Sequence, residues 1–582
     1  MRIKDILRKG FDAAGDIERE ISAVAYDSRK VKGGEVFVAI KGERFDGNSF
    51  VEDAIRMGAA AIVYEKYGNV NDSNKLRVTS NELNDKDREG NSSFVAHYSL
   101  LREKYPDIVW IGVDDPRDAL ACISGDFYRR PSEEMTVIGI TGTNGKTTTS
   151  YLVKSILERW EKSVGLIGTI SYMIKDTAYD APHTTPEAAD FQSLLREMSD
   201  GGCTYVVSEI SSHALSQKRV EHTRFKAGIF TNLTRDHLDF HKTMEDYYRA
   251  KERLFTELLD EGGCAAVNID DPYGERLSES LRKRRPDIRV LTYSLENKGA
   301  DIAALDIKAT FKGTSFKLKM KNEKIKNVEE EIRSSLVGNT NVYNMLSAIC
   351  AALLLDIPIE IIKEGIAMTG LVKGRFEKVD VGQDFLAVVD YAHTEDALER
   401  LLQTARRLLE AYRFAEKTER IRKAKRRKFS MPESKDKGQG LGQGKIITVV
   451  GCGGNRDKGK RSKMGEIASK LSDFVIITSD NPRYEDPQTI IRDVEKGIKS
   501  DNYIVIPDRS VAISMAVELA SSGDIVLVAG KGHENYQEVQ GVRHQFSDRT
   551  ALESAIKRTT GRPAFGGGAA FEGIYPSNPV KN

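Results

Sequence analysis

The 582-residue chain has little cysteine, no surplus of charge and no long apolar run, and each shortage removes a class of protein. Its five cysteines, at 122, 203, 264, 350 and 452, lie far apart with no Cys-x-x-Cys pair. That spacing argues against a zinc motif or a disulfide framework and suggests reduced thiols. Lysine plus arginine number 88 against 87 acidic residues, so the net charge of +1 gives no bulk field that asks for nucleic acid or an anionic membrane. No stretch approaches the roughly 18 apolar residues of a spanning helix, and Met1 to Asp16 shows no apolar core followed by a cleavage site. A soluble, cytoplasmic protein is the expectation. Internal repeats are missing, as is the Asn-Lys-x-Asp with which a switch GTPase reads guanine.

What the chain does have is a phosphate cradle. Val137 to Ser150 reads Val-Ile-Gly-Ile-Thr-Gly-Thr-Asn-Gly-Lys-Thr-Thr-Thr-Ser, a short apolar strand running into a glycine-rich turn. Gly142 and Gly145 let the backbone of Thr143 and Asn144 turn tightly around an anion, Lys146 can reach the outer phosphates, and the hydroxyls of Thr147 and Thr148 follow, with Thr147 placed to ligate Mg²⁺. ATP or GTP is therefore the expected ligand. The common form of this loop has glycine five residues before the Gly-Lys pair; here that position is Ile140, and the glycine stands at 142.

Length alone calls for several domains, three being the natural number. Residues 1–133 carry strand-like runs at Glu35 to Ile40 and Ala60 to Tyr64, with a polar segment, Asn69 to Asn91, that reads as an exposed insertion. From 134 to 370, strands at Tyr205 to Ile210, Ala227 to Thr231 and Ala265 to Ile269 alternate with helical stretches, the pattern of a parallel sheet covered by helices. A third α/β region, 371–582, has strands at Ala387 to Tyr391, Ile446 to Gly451, Phe474 to Thr478 and Ile525 to Ala529. It is interrupted by a basic run, 406–445, expected to be a solvated helix and flexible loop, and ends in a tail, 563–582, expected to be disordered.

Several motifs fall at the carboxyl ends of these strands, where open α/β sheets bind ligands. Glu209, in Ser-Glu-Ile-Ser-Ser-His, puts a carboxylate where a nucleotide's Mg²⁺ would lie. His237, in Asn232-Leu-Thr-Arg-Asp-His, is a second candidate ligand, although Mg²⁺ prefers oxygen and a structural histidine is the plainer reading. Lys251, on an amphipathic helix, is by composition a surface lysine. It becomes a metal ligand only if its neutral amine captures CO₂ to give an anionic carbamate.

Thr141-Gly-Thr-Asn-Gly-Lys-Thr-Thr, Glu209 in Glu-Ile-Ser-Ser-His, Asn232-Leu-Thr-Arg-Asp-His, Ala250-Lys251, Asn341 with Asn344, Gly374-Arg-Phe-Glu and Asp390-Tyr-Ala-His together resemble the Mur ligases of bacterial cell-wall synthesis. The resemblance runs from about 20 to 555 in the family's motif order. It implies an α/β fold of three domains: an N-terminal domain for a UDP-linked substrate, a central P-loop ATPase with a parallel sheet, and a Rossmann-like C-terminal domain. It also implies that Lys251 is carbamylated and bridges to Mg²⁺ beside Thr147, Glu209 and His237. Asn341 and Asn344 would lie near adenine, and Arg375 and Asp390 would reach ATP from the third domain.

Asp27-Ser-Arg-Lys-Val and Gly42-Glu-Arg-Phe-Asp-Gly resemble the uridine-binding stretch of the members that lengthen UDP-N-acetylmuramoyl-L-alanyl-D-glutamate. In that pattern Ser28 contacts the uridine diphosphate end, and Thr184, Thr185, Ser211, Gln217 and Arg219 hold the muramoyl dipeptide. Asp480, Asn481, Pro482 and Arg483 resemble the signature of members that add meso-diaminopimelate, with Arg456, Gly530 and Glu534 as further amino-acid contacts. An arginine fork suits the second carboxylate of diaminopimelate, which lysine lacks. The resemblance thus implies ATP-dependent amide formation through an acyl phosphate, in a monomer whose third domain closes onto the second. A lysine-adding relative, folylpolyglutamate synthetase and a non-catalytic nucleotide binder are the rival readings. Two departures stand out: Glu395 occupies a position where the family's Tyr-Ala-His-Thr-Pro-Asp has proline, and the insertion at 406–445 is longer than usual.

Overall fold

The computed structural model describes residues 1–42, 45–66, 97–296, 299–321, 328–427 and 444–560. The polar segment 69–91, part of the Gly42-Glu-Arg-Phe motif, the Gly/Gln-rich end of the basic insertion and the tail from 563 lie outside the described residues. The chain divides into two compact units, Met1–Gly370 and Leu371–Asn582.

The first unit contains two sheets. The smaller has five strands in the order Asp12–Ala14, Val109–Val113, Ala61–Glu65, Val36–Val38, Val24–Ala25, parallel except for the first pair. The larger has eleven strands, with Thr136–Thr141 between Tyr205–Glu209 and Phe225–Phe230 and parallel to both. From that centre, parallel pairing continues to Val164–Ile167 on one side and through Leu259–Asn268 and Arg289–Ser294 to Ile302–Thr310 on the other. The chain thus winds away from Thr136–Thr141 first in one direction and then in the other. The crevice such a reversal leaves lies beyond the strands' carboxyl ends, where the phosphate loop begins.

Alternation along each strand serves two cores, because neighbouring side chains point to opposite faces. Ile138 and Ile140 pack with Leu152, Ile156, Met345 and Ile349 beneath the helices Lys146–Arg159 and Asn339–Leu354. Val137 and Val206 join Phe191, Leu195, Leu254, Phe255 and Leu277 under the helices Ala188–Asp200, Met244–Thr256 and Pro272–Arg284. The sheet is larger than a helix-strand alternation implies, because antiparallel strands extend both edges: Ser171–Ile174 and Thr177–Asp180 on one side, Gly313–Met320 and Val328–Ser334 on the other. Their connections are too short for the crossover that parallel pairing requires.

In the second unit six strands run in the order Glu377–Val379, Leu386–Asp390, Ile525–Ala529, Ile446–Val450, Phe474–Ile477, Tyr503–Val505, all parallel after the first. The basic stretch from Arg406 begins inside the helix Glu395–Arg427, whose Leu398, Leu402, Ala405 and Leu409 are buried. Glu395, the departure from proline, lies at its start and pairs with Lys463 at 3.4 Å.

Arg509 and Asp548 form a fully buried ion pair, Nε to Oδ1 and Nη2 to Oδ2 both 2.7 Å, which ties the helix Asp548–Thr560 to the sheet. Removing one partner strands a charge in the core. Asp548→Ala is expected to cost the second unit about 3–5 kcal/mol in urea unfolding, whereas replacing both partners with apolar residues recovers most of the loss.

Candidate active site

The phosphate loop needs glycine for two separate reasons. Gly142 and Gly145 have φ of +148° and +91°, a region that L side chains avoid, and neither has room for a Cβ. A methyl group on Gly142 would sit 1.9 Å from Thr231 Oγ1, and one on Gly145 would sit 2.5 Å from Asn344 Oδ1. Asn344 therefore lies against the loop, and its Nδ2 donates to Asn341 Oδ1 at 3.2 Å. Gly145 caps the helix Lys146–Arg159, whose first-turn amides are those a helix leaves for an anion. The loop is held from behind by the next strand's exit: Thr143 N donates to Asn232 O (2.8 Å), Asn144 N to Asn232 Oδ1 (2.9 Å) and Thr231 Oγ1 to Asn144 O (2.7 Å).

Two lysines meet at this loop. Lys146 Nζ donates to the carbonyls of Gly142 and Thr143, and Lys251 Nζ donates to the same Gly142 carbonyl, all at 2.9 Å. Lys251 is 1% exposed and so is no surface lysine. Burial, reinforced by the Lys146 ammonium, holds its amine well below the ordinary value, with Asp236 opposing. An amine kept neutral in this way is the form that reacts with CO₂.

Glu209, also buried, faces the loop's other side. Its carboxylate accepts from Thr147 Oγ1 (3.0 Å), Thr169 N (2.9 Å) and Thr169 Oγ1 (2.9 Å). Because the Thr169 proton goes to Glu209, Thr184 Oγ1 must be the donor in its 3.1 Å contact with Thr169. One polar line therefore runs from Thr184 through Thr169 and Glu209 to Thr147. Thr185 Oγ1 donates to the Glu209 carbonyl (2.8 Å) and accepts from Ser211 N (3.0 Å). Arg219 donates to the Thr185 carbonyl (3.1 Å) and, through Nε and Nη2, to Gln217 Oε1 (3.0 and 2.6 Å). The five residues expected to hold a dipeptide are thus one cluster. Ser28 is buried in the short turn Ser28–Lys30 of the smaller sheet, whose neighbours Tyr26 and Lys30 reach Asp190 at 2.5 and 3.2 Å.

His237 adopts φ +54° at the head of a short helix, with Nε2 3.4 Å from Asp236 Oδ2. Burial and the nearby His213, Lys251 and Lys146 outweigh Asp236 and push it down to about 3. Oxygen from Thr147 and Glu209 gives Mg²⁺ the hard donors it prefers, so the residues present fit that ion.

The remaining expected residues belong to the second unit. Asp390 accepts from Phe376 N (2.6 Å) and Ala392 N (2.8 Å), and burial pushes its carboxyl up against the opposing pull of Arg375. Arg375 lies over the Tyr391 ring at 4.7 Å. Asn481 Nδ2 donates to Glu534 Oε2 (2.8 Å), and a Cβ on Gly530 would come within 2.7 Å of Asp480 Oδ2. Arg483, at φ +53°, donates to the Gly454 carbonyl (2.8 Å) and faces Glu538 at 3.7 Å, while the Pro482 carbonyl abuts Gly454. Arg456 is exposed in the neighbouring turn.

Sequence reasoning missed Thr169 and Lys531. Thr169 follows the strand Val164–Ile167, so the carboxyl-end rule applied to every strand would have found it. Lys531, fully buried, donates to Asn481 Oδ1 (2.9 Å) and Glu534 Oε2 (3.0 Å); its place inside Gly-Lys-Gly gave the only signal.

Gly142→Ala is expected to lower kcat/KM for ATP about a hundredfold by displacing the loop, with the circular dichroism spectrum retained. His241, buried and donating or accepting at Ser212 Oγ (2.8 Å), is pushed down from 6.5 to about 4 by burial, His213 and Lys251. The unfolded chain then takes up that proton first, so stability should fall as pH drops from 6.5 towards 4. Urea midpoints at pH 7 and pH 5 test this, and His241→Asn should shrink the difference, with His237, also pushed down, supplying the remainder.

The chain matches three family descriptions: Mur ligase family, catalytic domain, over residues 20–128; Mur ligase middle domain over 140–352; and Mur ligase, glutamate ligase domain, over 436–532. It is 37% identical over 562 residues to the UDP-N-acetylmuramoyl-L-alanyl-D-glutamate--2,6-diaminopimelate ligase of Clostridium perfringens, covering 96% of this chain and 100% of that one. The ligase of the same name from Clostridium botulinum is 39% identical over 544 residues, covering 93% and 96%. A solved structure of a ligase of that name matches with a TM-score of 0.60 and 29% identity, covering 96% of this chain and 99% of that chain. Near-complete coverage at this identity, over the loop geometry described above, means that the chain belongs to the Mur ligase family and is an ATP-dependent, amide-bond-forming ligase.

Proposed function

We propose that this ligase adds meso-diaminopimelate to the D-glutamate of UDP-N-acetylmuramoyl-L-alanyl-D-glutamate, through an acyl phosphate, in peptidoglycan synthesis. The observation that carries the choice of amino acid is Arg483, with its guanidinium at the Gly454 carbonyl, in the turn that begins with Asp480 and ties Asn481 to Glu534, since diaminopimelate ends in both a carboxylate and an ammonium. A guanidinium fork binds the former, and the carboxylates of Asp480 and Glu534 suit the latter. The names of the relatives described above support the same choice. A lysine-adding ligase would leave Arg483 facing a side chain with no carboxylate to bind.

ATP would lie on the loop Gly142 to Thr148, with Asn341 and Asn344 beside it and Arg375 and Asp390 as further contacts. The γ-carboxylate of D-glutamate, held through Thr184, Thr185, Ser211, Gln217 and Arg219 with Ser28 at the uridine end, attacks the γ-phosphorus and expels ADP. Lys146 and the loop amides stabilise the charge on the transferring phosphoryl group. The amine of diaminopimelate, held by Asp480, Asn481, Pro482, Arg483, Gly530, Glu534 and Arg456, then attacks the activated carbonyl. Collapse of the tetrahedral species releases phosphate, leaving the amide. Mg²⁺, held by Thr147, Glu209, His237 and a carbamate on Lys251, would supply neutralisation of the phosphate oxygens. No protein nucleophile is needed. The chain would act as a monomer in the cytoplasm, a location that its five free, buried cysteines fit.

The test is phosphate release from ATP with UDP-N-acetylmuramoyl-L-alanyl-D-glutamate and either meso-diaminopimelate or L-lysine. Release with diaminopimelate alone is expected, and Arg483→Ala should raise its KM at least about tenfold while leaving that for ATP within about threefold. Preference for lysine would overturn the specificity.

A further inference from the structure

The helix Met244–Thr256 meets the phosphate loop at two places, and only one of them is Lys251. Tyr247, one turn earlier, lies on the same helix face, as i and i+4 residues do, and is 1% exposed. Its hydroxyl is 3.1 Å from Thr143 Oγ1. The direction of that bond follows from the other bonds of Thr143: its proton goes to the Thr234 carbonyl (3.2 Å), and it also accepts from Thr234 N (3.0 Å). The Thr234 carbonyl can only accept, so the arrangement that serves every partner has Thr143 donating to it and the phenol donating to Thr143.

The ring is engaged as well as the hydroxyl. Lys251 Nζ stands over it at 4.6 Å, and His241 stacks on it at 4.9 Å with 26° between the planes. Tyr247 and Lys251 therefore grip consecutive residues of the loop, the hydroxyl of Thr143 and the carbonyl of Gly142. Through Thr143, the same phenol connects the helix to Thr234, in the segment that ends at His237.

We infer that Tyr247 is a positioning residue for phosphoryl transfer. Its hydroxyl fixes the distance between the helix and the loop, and its ring holds the Lys251 amine against the Gly142 carbonyl. Its role is exerted through Thr143 and Lys251. The inference rests on the nucleotide-site roles proposed above for the loop and Lys251, and not on the choice of amino acid.

Two variants separate the two parts of the residue. Tyr247→Phe keeps the ring and removes the donor; kcat should fall about ten- to a hundredfold, with KM for ATP within about threefold. Its melting temperature should stay within about 3 °C of the parent. Tyr247→Leu also removes the ring surface on which Lys251 Nζ rests, and the loosened amine should weaken the ¹³C carbamate resonance of Lys251 in ¹³C-bicarbonate at least about twofold, an effect absent in Tyr247→Phe. A kcat within twofold of the parent in Tyr247→Phe, or a loss fully accompanied by a collapse in melting temperature, would overturn the inference. So would an unchanged resonance in Tyr247→Leu. If the parent protein shows no such resonance, the assignment of Lys251 fails instead, and the split between kcat and KM in Tyr247→Phe still decides the role of the hydroxyl.

Discussion

The carbonyl of Gly142 accepts hydrogen bonds from two lysines, Lys146 in the loop and Lys251 on a helix more than a hundred residues later, and much of the first unit is arranged so that both can reach it. Two ammonium groups around one acceptor repel each other, and burial adds a desolvation cost to that repulsion. The arrangement favours a neutral Lys251. The loop could not be gripped so closely if Gly142 or Gly145 carried a side chain, because Thr231 and Asn344 occupy the space a Cβ would need.

The sheet supplies the remaining geometry. Winding outward from Thr136–Thr141 in both directions leaves a crevice at the carboxyl edge, and the strands that end there contribute polar groups to it. Thr169 follows Val164–Ile167, Glu209 closes Tyr205–Glu209, and Thr231 and Asn232 follow Phe225–Phe230. Glu209 joins these contributions, since its carboxylate faces Thr147 and Thr169 while its backbone carbonyl takes the Thr185 hydroxyl. A shift of that strand by one residue would turn Glu209 to the opposite face and break both connections at once.

The second unit repeats this logic on a different sheet. Asp390 closes Leu386–Asp390, the Asp480 segment follows Phe474–Ile477, and Gly530 follows Ile525–Ala529. Beneath them the Arg509 guanidinium donates to the Ala529 carbonyl at 2.9 Å while paired with Asp548, so the turn that carries Gly530 rests on a buried charge pair. Lys531 plays a comparable part within the cluster, holding Asn481 and Glu534 to a common cation.

The parts of this protein that are legible in sequence are those whose chemistry is local. The phosphate loop needs only glycine, lysine and threonine at fixed spacing after an apolar strand, so residues 137–150 announced it, and strands such as Tyr205–Glu209 and Ile525–Ala529 followed from short apolar runs. Lys251 shows the limit. Composition makes it a surface lysine, and only the resemblance to a family suggested otherwise; its burial depends on which face of its helix meets the sheet. Thr169, Tyr247 and Lys531 drew no notice because a hydroxyl or an amine acquires a role only from the partners that folding brings to it, here Glu209, Thr143 and Asn481. The sequence by itself determined the nucleotide loop and the alternation of the sheets, because both depend on neighbours along the chain. Tertiary structure alone decided which buried groups face that loop, because burial and hydrogen bonding are settled by residues distant in sequence.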